Sequence, residues 1–325
     1  MERGLFDSSL LHHGRCGAPP IRVLPQLPEA RVELRDFCRA VGWVGEAATM
    51  APQAARPMWD GPVVGTLDGS TPVADHNGQV VFVDGIQAGR VATWRPAADG
   101  GPARPVLLMW AGAAAVAAPR EVLDVRERIW LAPSYLDAEW AASVAHGVPV
   151  EPTRFRYAPE IRRDAIGVLR EVRADLERQV AADLPRADPS TLVVLDGGLL
   201  GHEPRASTAG VIKTHRTRYA ADETPLAQLE PGWRTGGFAL PGRSQDEADR
   251  YSCYVRLRPP AGDDWAHGLV RLEAWAPADL ERAVSAALAH RQPSGTGDPR
   301  WHVHLDGVRS CEDVLRHRRP AAFAS

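Results

Sequence analysis

The chain has 325 residues, of which 44% are hydrophobic and 24% charged, a composition typical of a globular protein with one large domain or two small ones. Its net charge of -3 argues against a protein that coats nucleic acid with bulk positive charge. An acidic nuclease with a carboxylate-lined metal site remains compatible with that charge. The four cysteines form no C-x-x-C pair, which argues against a zinc ribbon and against a disulfide framework.

The first residues, MERGLFDSSLLHHGR, do not combine a basic segment with a sustained apolar one, so we expect no signal peptide. The longest apolar run, 106–118, is shorter than the about 20 residues that a helix needs to cross a bilayer. Widely spaced cysteines also fit a reducing compartment. Together these features predict a cytoplasmic protein without a membrane-spanning segment.

Residues 1–75 are rich in proline and glycine and contain one helical pattern, at 28–41. They show no recognisable chemistry, so we predict an N-terminal extension followed by a domain at 76–325. From Gly78 onward, apolar segments are joined by short connections that contain glycine or proline. This pattern predicts a meander of three antiparallel strands, formed by GQVVFVDG, AGRVATWR and PVLLMWAGAAAVAA.

A long amphipathic helix is predicted over 159–184, because apolar residues recur there at helical spacing. These residues are Ile161, Ala165, Leu169, Val172, Leu176 and Val180. Two strands are predicted next, in TLVVLDGGLL and AGVIKTH, and then a hairpin of RYSCYVRL with GLVRLEAW. Helices over 277–290 and 308–318 complete the predicted elements.

Three strands, a helix and a fourth strand form the opening order of a ribonuclease-H-like fold, an α/β architecture with a mixed sheet flanked by helices. The first and fourth strands of such a sheet are parallel neighbours. Asp84 ends the apolar segment 80–83, and Asp196 ends the apolar segment 192–195. The order therefore predicts two carboxylates side by side, and a buried carboxylate is costly unless it meets a cation.

The dipeptide Asp-Gly also starts turns, which gives each of these residues a plainer explanation. For Asp68 and Asp306 we expect only a turn, although Asp68 competes with Asp84 for the first position. For Asp84 together with Asp196, with the intervening order in place, we favour a metal-binding pair.

A third carboxylate should come from the intervening helix, where Glu171 and Glu177 are the candidates. Both stand beside the apolar stripe, and most glutamates on helices are solvated surface. We favour Glu177, which follows Leu176 and lies closer to the strand that carries Asp196, and keep Glu171 as the alternate.

These groups suit the metal-assisted hydrolysis of phosphodiesters, because Mg²⁺ and Mn²⁺ prefer oxygen ligands. A cation near the scissile phosphate would neutralise the charge of the transition state. Lys213, the only lysine of the chain, follows the strand after Asp196 and is our candidate for that cation. Its compact ammonium group suits a tight site better than the planar fork of arginine does.

Several strings, in this order, resemble the bacterial branch of the NurA nuclease family. Their order and the Lys-Thr-His motif make the resemblance specific, and it covers about residues 78–319. The strings are FVDGI (82–86), VVLDGGL (193–199), GVIKTHRTRY (210–219), RYSCYVRL (250–257), WAHGLVRLE (265–273) and DPR (298–300).

The resemblance implies a Mn²⁺-dependent DNA nuclease that acts on single strands and DNA ends. It also implies a homodimer that docks on HerA, a hexameric ATP-driven DNA translocase. In this chain Asp84 would be the first-strand ligand, Asp196 the fourth-strand ligand, and Glu177 or Glu171 the helix ligand. Lys213 would belong to the motif that follows the fourth strand.

The C-terminal active-site segment departs from the family pattern. After Asp-Pro-Arg the bacterial branch tends to read Ala-Pro-x-Asn-Leu, whereas this chain reads Trp-His-Val-His-Leu at 301–305. The segment either supplies a histidine ligand, with His304 in place of the asparagine and His302 as the alternate, or only packs. We expect the two histidines to share one face of a strand.

Several side chains are candidates for contacts with single-stranded DNA, arginines for the phosphates and aromatic rings for stacked bases. The set is His215, Arg216, Arg218, Tyr219 and Arg256, with Arg271 and Trp233 as further possibilities. Two other functions stay open. One is a non-catalytic relative that binds DNA and the ATPase as a scaffold; the other, ranked lower, is an actin-like ATPase or kinase, because those folds also place Asp-Gly-Gly at strand ends.

Overall fold

The structure, a computed structural model, describes most of the chain from residue 71 onward. The predicted helix at 28–41, Asp68, Arg216 and Arg218 lie outside the described residues. The described ranges are 71–72, 78–97, 100–184, 190–215, 219, 224–240, 242, 248–261, 264–293 and 300–323.

Ten strands run through the described residues. They are β1 (Thr71–Pro72), β2 (Val80–Arg95), β3 (Arg104–Ala117), β4 (Glu121–Ala132), β5 (Leu192–Asp196), β6 (Thr208–Ile212), β7 (Trp233–Arg234), β8 (Phe238–Leu240), β9 (Arg250–Arg256) and β10 (Leu269–Ala274). The helices of the same ranges are α1 (Ala138–Val144), α2 (Ala158–Asp183), α3 (Thr224–Gln228), α4 (Pro277–Ala289) and α5 (Asp306–Arg318), with 3₁₀ helices at Tyr135–Asp137 and Ala321–Phe323.

The strands form one mixed sheet in the order β1-β7-β9-β10-β6-β5-β2-β3-β4, and β8 pairs with β9. β3 is antiparallel to both of its neighbours, β2 and β4, whereas β5 and β6 run parallel to β2. The predicted parallel pairing of 80–83 with 192–195 is confirmed. β1 precedes the predicted domain start at residue 76 and pairs with β7.

The residues that form the first three strands differ from the prediction. GQVVFVDG and AGRVATWR belong to one long strand, β2, which pairs with β3 along nearly its whole length. The glycines that suggested a connection lie within this strand: a Cβ on Gly89 would lie 3.1 Å from the Met109 side chain. β4 was not predicted, because the first half of this edge strand carries exposed and charged side chains instead of an apolar run.

Helices cover both faces of the central strands. α2 packs on one face, in a cluster with Val81 and Val83 of β2, and all six of its predicted apolar positions are buried. α4 and α5 pack on the other face, in a cluster with Phe82 of β2 and Val194 of β5. The alternation of side chains along β2 and β5 therefore separates an α2 face from an α5 face.

The remaining predicted elements are confirmed. β9 and β10 form the predicted antiparallel hairpin, and α4 and α5 occupy the two predicted C-terminal helices. Asp306, predicted to start a turn, begins α5 instead. Among the helices that the structure describes, none has the length and apolar character needed to cross a membrane.

Gly307, in the first turn of α5, faces the buried ring of Phe82, and a Cβ at this position would overlap that ring. We expect Gly307→Ala to lower the free energy of unfolding by about 1 to 3 kcal/mol, because the ring has no room to move in a packed core. Urea denaturation followed by circular dichroism measures the change.

Gly167→Ala on α2 is the matched control, because a Cβ there would meet nothing within 4 Å. It should raise the free energy of unfolding by about 0.5 to 1 kcal/mol through the higher helix propensity of alanine. Equal effects of the two substitutions would show that α5 does not sit as closely on β2 as described.

Candidate functional site

The parallel pairing of β2 with β5 brings Asp84 and Asp196 together. The last paired residues of the two strands are Val83 and Leu195, and each aspartate directly follows its paired residue. Alternation places both carboxylates on the α5 face, on the same side as Phe82 and Val194. Asp84 is 2% exposed, whereas the Asp196 side chain is 25% exposed. The pair thus joins a buried carboxylate to one that reaches solvent.

Lys213 completes the pair from the next strand. β6 lies parallel to β5 with Val211 opposite Asp196, so Lys213, two residues later, projects from the same face. Its Nζ lies 2.7 Å from Asp196 Oδ1, and its side chain is 11% exposed. The only lysine of the sequence therefore forms an ion pair with the more exposed aspartate.

Asp84 has a different environment. Its Oδ1 accepts a hydrogen bond from the Gly85 N–H at 2.7 Å, and no ion pair of Asp84 occurs in the part of the chain that the structure describes. Burial, followed by repulsion from Asp196, raises the pKa of Asp84 well above its ordinary value, although Lys213 opposes the shift. A buried carboxylate with this surplus of negative neighbours favours a proton or a cation.

Glu177 approaches the aspartates from the α2 face. Gly85 leaves the space that its carboxylate enters: a Cβ on Gly85 would lie 2.5 Å from Glu177 Oε1. Arg173 Nη1 donates to Glu177 Oε1 at 2.7 Å and to the Gly85 carbonyl at 3.2 Å. Burial raises the pKa of Glu177 to about 7 despite Arg173, and Asp196 adds to the rise.

Glu171 is not brought to this cluster. It is exposed and lines a separate cleft of about 390 Å³ together with Arg163 and Asp164. Of the two candidate helix carboxylates, only Glu177 lies close enough to Asp84 and Asp196 for their charges to raise one another's pKa values.

His304 is fully buried and lies near Lys213, Arg300 and Glu312. Burial, then the charges of Lys213 and Arg300, lower the pKa of His304 to about 4, so its imidazole is neutral at pH 7. Its Nε2 lies 4.0 Å from Glu312 Oε1. His304 therefore faces the same charged cluster as the two aspartates.

The expectation that His302 and His304 share a strand face is wrong. Residues 301–303 form a turn that leads into α5, so the two side chains point in different directions. The His302 ring stacks on His267 with ring centroids 4.1 Å apart and lies edge-on to Trp301. His302 is thereby removed from the site.

Sequence reasoning missed Glu312, which is 5% exposed on α5. Its charge contributes to the raised pKa of Asp84, and it accepts hydrogen bonds from Arg300 and Arg316. A signal for it existed: Val308, Cys311 and Leu315 form the buried stripe of α5, and Glu312 lies within that stripe.

Two of the residues expected to contact DNA, His215 and Tyr219, make contacts within the protein itself. His215 Nε2 donates to the Leu269 carbonyl at 3.0 Å. The Tyr219 ring lies 5.8 Å from Phe238, and the Arg271 guanidinium lies 4.7 Å from the Tyr219 ring. Tyr219 is thus partly covered by its own chain.

The expectation that Arg256 contacts DNA is wrong. Arg256 is 0% exposed, and its guanidinium donates to four backbone carbonyls of its own chain. These belong to Leu226, Leu229, Trp265 and His267. The arginine ties two segments to β9, the C-terminal end of α3 and the connection between β9 and β10, and its donors face inward.

The donor chemistry fits a hard divalent cation, because Asp84, Asp196 and Glu177 offer carboxylate oxygens and His304 a neutral imidazole. The buried and unpaired Asp84 is the observation that most favours a cation here. The described residues do not, however, bring three or more His, Cys, Asp or Glu side chains into a group that could hold a metal ion. Asp196 and Glu177 are instead paired with Lys213 and Arg173.

Comparison of the sequence with models of protein families finds no match. A comparison with curated proteins likewise finds none. The chemistry of the site must therefore carry the functional assignment.

The unpaired Asp84 predicts an unusual pH dependence of stability. A carboxyl group whose pKa is raised on folding stabilises the fold below its unfolded pKa, and this contribution is lost as the pH rises through the folded pKa. We expect Asp84→Asn, measured in EDTA, to match the parent protein near pH 4 and to exceed its free energy of unfolding by about 1 to 3 kcal/mol at pH 8.

Asp137→Asn is the control for this experiment. Asp137 is also a buried aspartate, but Arg104 donates two hydrogen bonds to its carboxylate, at 2.7 and 2.9 Å. Removing its charge should lower the free energy of unfolding by about 3 to 5 kcal/mol at pH 8. A stability difference between Asp84→Asn and the parent that does not change from pH 4 to pH 8 would contradict the described burial of Asp84.

Proposed function

We propose that this protein is a metal-dependent DNA nuclease that hydrolyses phosphodiester bonds in single strands and at DNA ends. The observation that carries the proposal is the junction of Asp84 and Asp196 at neighbouring parallel strands, with Lys213 2.7 Å from Asp196. Two carboxylates with an adjacent lysine suit the binding of a divalent cation beside a phosphate. The sequence resemblance to NurA nucleases supports the same activity.

The topology also supports this proposal. The strand order β4-β3-β2-β5-β6, with three antiparallel strands followed by two parallel ones, is the arrangement expected of a ribonuclease-H-like sheet. In that fold the first and fourth strands carry the acidic residues, which here are β2 and β5. We therefore propose a ribonuclease-H-like nuclease domain. A fold alone is a limited warrant for a function, so the side chains carry more weight.

In the proposed mechanism Asp84, Asp196 and Glu177 would hold Mn²⁺ or Mg²⁺. When bound, the divalent ion would supply an activated water and stabilise the departing 3′ oxygen. Lys213 offers a positive charge beside Asp196 that can neutralise a phosphate oxygen. His304, whose imidazole is neutral at pH 7, would serve as a further ligand. Arg173 holds the Glu177 carboxylate against Gly85.

The proposed partners follow from the resemblance. They are DNA, a HerA-type hexameric ATPase and a second copy of this chain, and the proposed task is end resection in repair or defence against foreign DNA. Arg216, Arg218, His215 and Tyr219 remain the proposed DNA contacts, since they follow Lys213 directly in the sequence.

One observation favours a second candidate, a non-catalytic scaffold that binds DNA and the ATPase. Within the described residues Asp196 and Glu177 are paired with Lys213 and Arg173, and the acidic side chains do not form a metal-binding group. A scaffold would bind DNA and leave it intact whether or not Asp84 is present.

We expect the protein to cleave 5′-labelled single-stranded and blunt duplex DNA with Mn²⁺ or Mg²⁺, and EDTA to abolish the cleavage. Asp84→Asn and Asp196→Asn should each lower the rate by about 100-fold or more, because each removes a charge that holds the ion. Labelled products are resolved on denaturing gels. Asp164→Asn, at the distant α2 cleft, should cleave like the parent.

Cleavage that persists in EDTA, or that Asp84→Asn leaves unchanged, would exclude the proposed site. A protein that binds DNA without cleaving it, alone and with the ATPase, would favour the scaffold.

Glu177 and Glu171 allow a test within one helix. We expect Glu177→Gln to lower cleavage about 10- to 100-fold, because its carboxylate lies beside Asp84 and Asp196. Glu171→Gln, an exposed position on the same helix, should leave the rate within about twofold of the parent. The same cleavage assay under excess Mn²⁺ and at low Mn²⁺ shows whether ion binding is the step affected. Equal rates for the two variants would remove Glu177 from the site.

A further inference from the structure

Glu273, on β10, is a buried carboxylate with an unusual set of donors. It is 2% exposed. Arg271 Nη1 donates to its Oε1 at 2.6 Å, and Arg250 Nη1 donates to its Oε2 at 3.3 Å. The Leu199 N–H donates to the same Oε2 at 3.0 Å. Two cations and one backbone amide thus converge on a single carboxylate.

The Leu199 amide belongs to the turn that begins at Asp196. Gly197 has a φ of 122°, a conformation suited to glycine, and its N–H donates to the Val211 carbonyl at 2.9 Å. A Cβ on Gly198 would lie 3.3 Å from Glu273 Oε2. The turn therefore folds back directly onto the β6–β10 part of the sheet, and Glu273 meets it there.

The charge of Glu273 is retained in the folded protein. Burial alone would raise its pKa, but Arg271, the Leu199 amide and Arg250 outweigh burial and lower the pKa below its ordinary value. A hydrogen bond from a backbone amide to an ionised carboxylate is stronger than one between neutral groups. Leu199 is accordingly held by a charged acceptor that is itself fixed by two arginines.

We propose that Glu273 is a positioning residue: by holding the Leu199 amide it fixes the turn after β5 and thereby directs the Asp196 carboxylate toward Lys213 and Asp84. In this proposal Glu273 contacts the Leu199 amide of the turn and does not contact the substrate. Its consequence for DNA cleavage rests on the proposed nuclease function; its hold on the turn does not.

The same connection offers a matched control at its other end. Asp279 Oδ2 accepts from the Ser207 N–H at 2.8 Å, and Arg282 donates to Asp279 Oδ1 at 3.3 Å. This is the same chemistry, a buried aspartate with an arginine and a backbone amide. It lies at the start of β6, which is the end of the strand away from Lys213.

Two substitutions separate the reach of Glu273 from its charge. Glu273→Asp keeps the charge for Arg250 and Arg271 but shortens the side chain, so it should release Leu199. Glu273→Gln keeps the reach and an acceptor oxygen for Leu199 but leaves the arginines without their counter-charge. Asp279→Asn is the control variant. All are measured at a temperature at which circular dichroism shows the parent fold.

Two of the readouts need neither metal nor DNA. One is amide hydrogen exchange at Leu199. The other is the ¹³C NMR signal of Lys213 after reductive methylation; the chain has a single lysine, so the one other labelled amine is the α-amino group, and its signal is assigned by its separate pH titration. Cleavage rates with Mn²⁺ form the third readout, analysed as kcat and KM for DNA.

We expect Glu273→Asp to speed exchange at Leu199 about 10-fold or more, to move the Lys213 signal toward that of an exposed lysine, and to lower kcat about 10-fold with KM for DNA unchanged. Glu273→Gln should keep Leu199 protection and kcat within about threefold of the parent while unfolding at lower urea. Asp279→Asn should change none of the three readouts at Leu199, at Lys213 or in kcat by more than about twofold.

A role limited to stability predicts the opposite order, with Glu273→Gln the more damaging variant in every readout, and that result would overturn the proposal. Unchanged Leu199 exchange and Lys213 signal in Glu273→Asp would also overturn it. If the parent protein does not cleave DNA, the proposed function fails, and the exchange and NMR readouts still decide the role of Glu273.

Discussion

The parallel pairing of β2 with β5 is the constraint on which the candidate site depends. It aligns Val83 with Leu195 and so places the next residues of both strands, Asp84 and Asp196, beside each other. The pairing requires the chain to cross from one edge of the antiparallel strands back to β2, and α2 makes that crossing. The same helix brings Glu177 to Gly85. One crossover connection thus accounts for all three carboxylates.

The charges at this junction do not balance. Among the residues that the structure describes, Asp196 pairs with Lys213 and Glu177 with Arg173, which leaves Asp84 without a cation. Burial makes this surplus of negative charge costly, and the pKa values of Asp84 and Glu177 are raised as a result. A fold optimised for stability alone would have replaced or paired such a group, so the imbalance is what separates this cluster from the structural ion pairs elsewhere in the protein.

The strands that hold Asp84 and Asp196 and the helix α2 could be predicted from the sequence, because apolar strands that run into Asp-Gly and a six-position helical stripe are local patterns. The features that could not be predicted depend on tertiary packing. Edge strand β4 lacks an apolar run, since solvent faces half of it. The inward direction of Arg256 is set by carbonyls of α3 and of the β9–β10 connection, which folding brings together. His302 and His304 are separated by a turn at 301–303, and no hydrophobic periodicity indicates that turn. The position of Glu312 within the apolar stripe of α5 indicates burial, but most glutamates on helices are exposed, so the sequence alone did not single it out.

Arg256 has a consequence for how the protein opens. Its guanidinium group donates hydrogen bonds to two pairs of backbone carbonyls. One pair belongs to Leu226 and Leu229, and the other to Trp265 and His267. Neither α3 nor the β9–β10 connection can lift away from β9 without exposing buried donors and acceptors of the other, so local opening of the two should be a single cooperative event. A lysine, with a compact head and three donors, could not span the same carbonyls. In this half of the sheet, one buried arginine therefore cross-links two segments of the chain through hydrogen bonds.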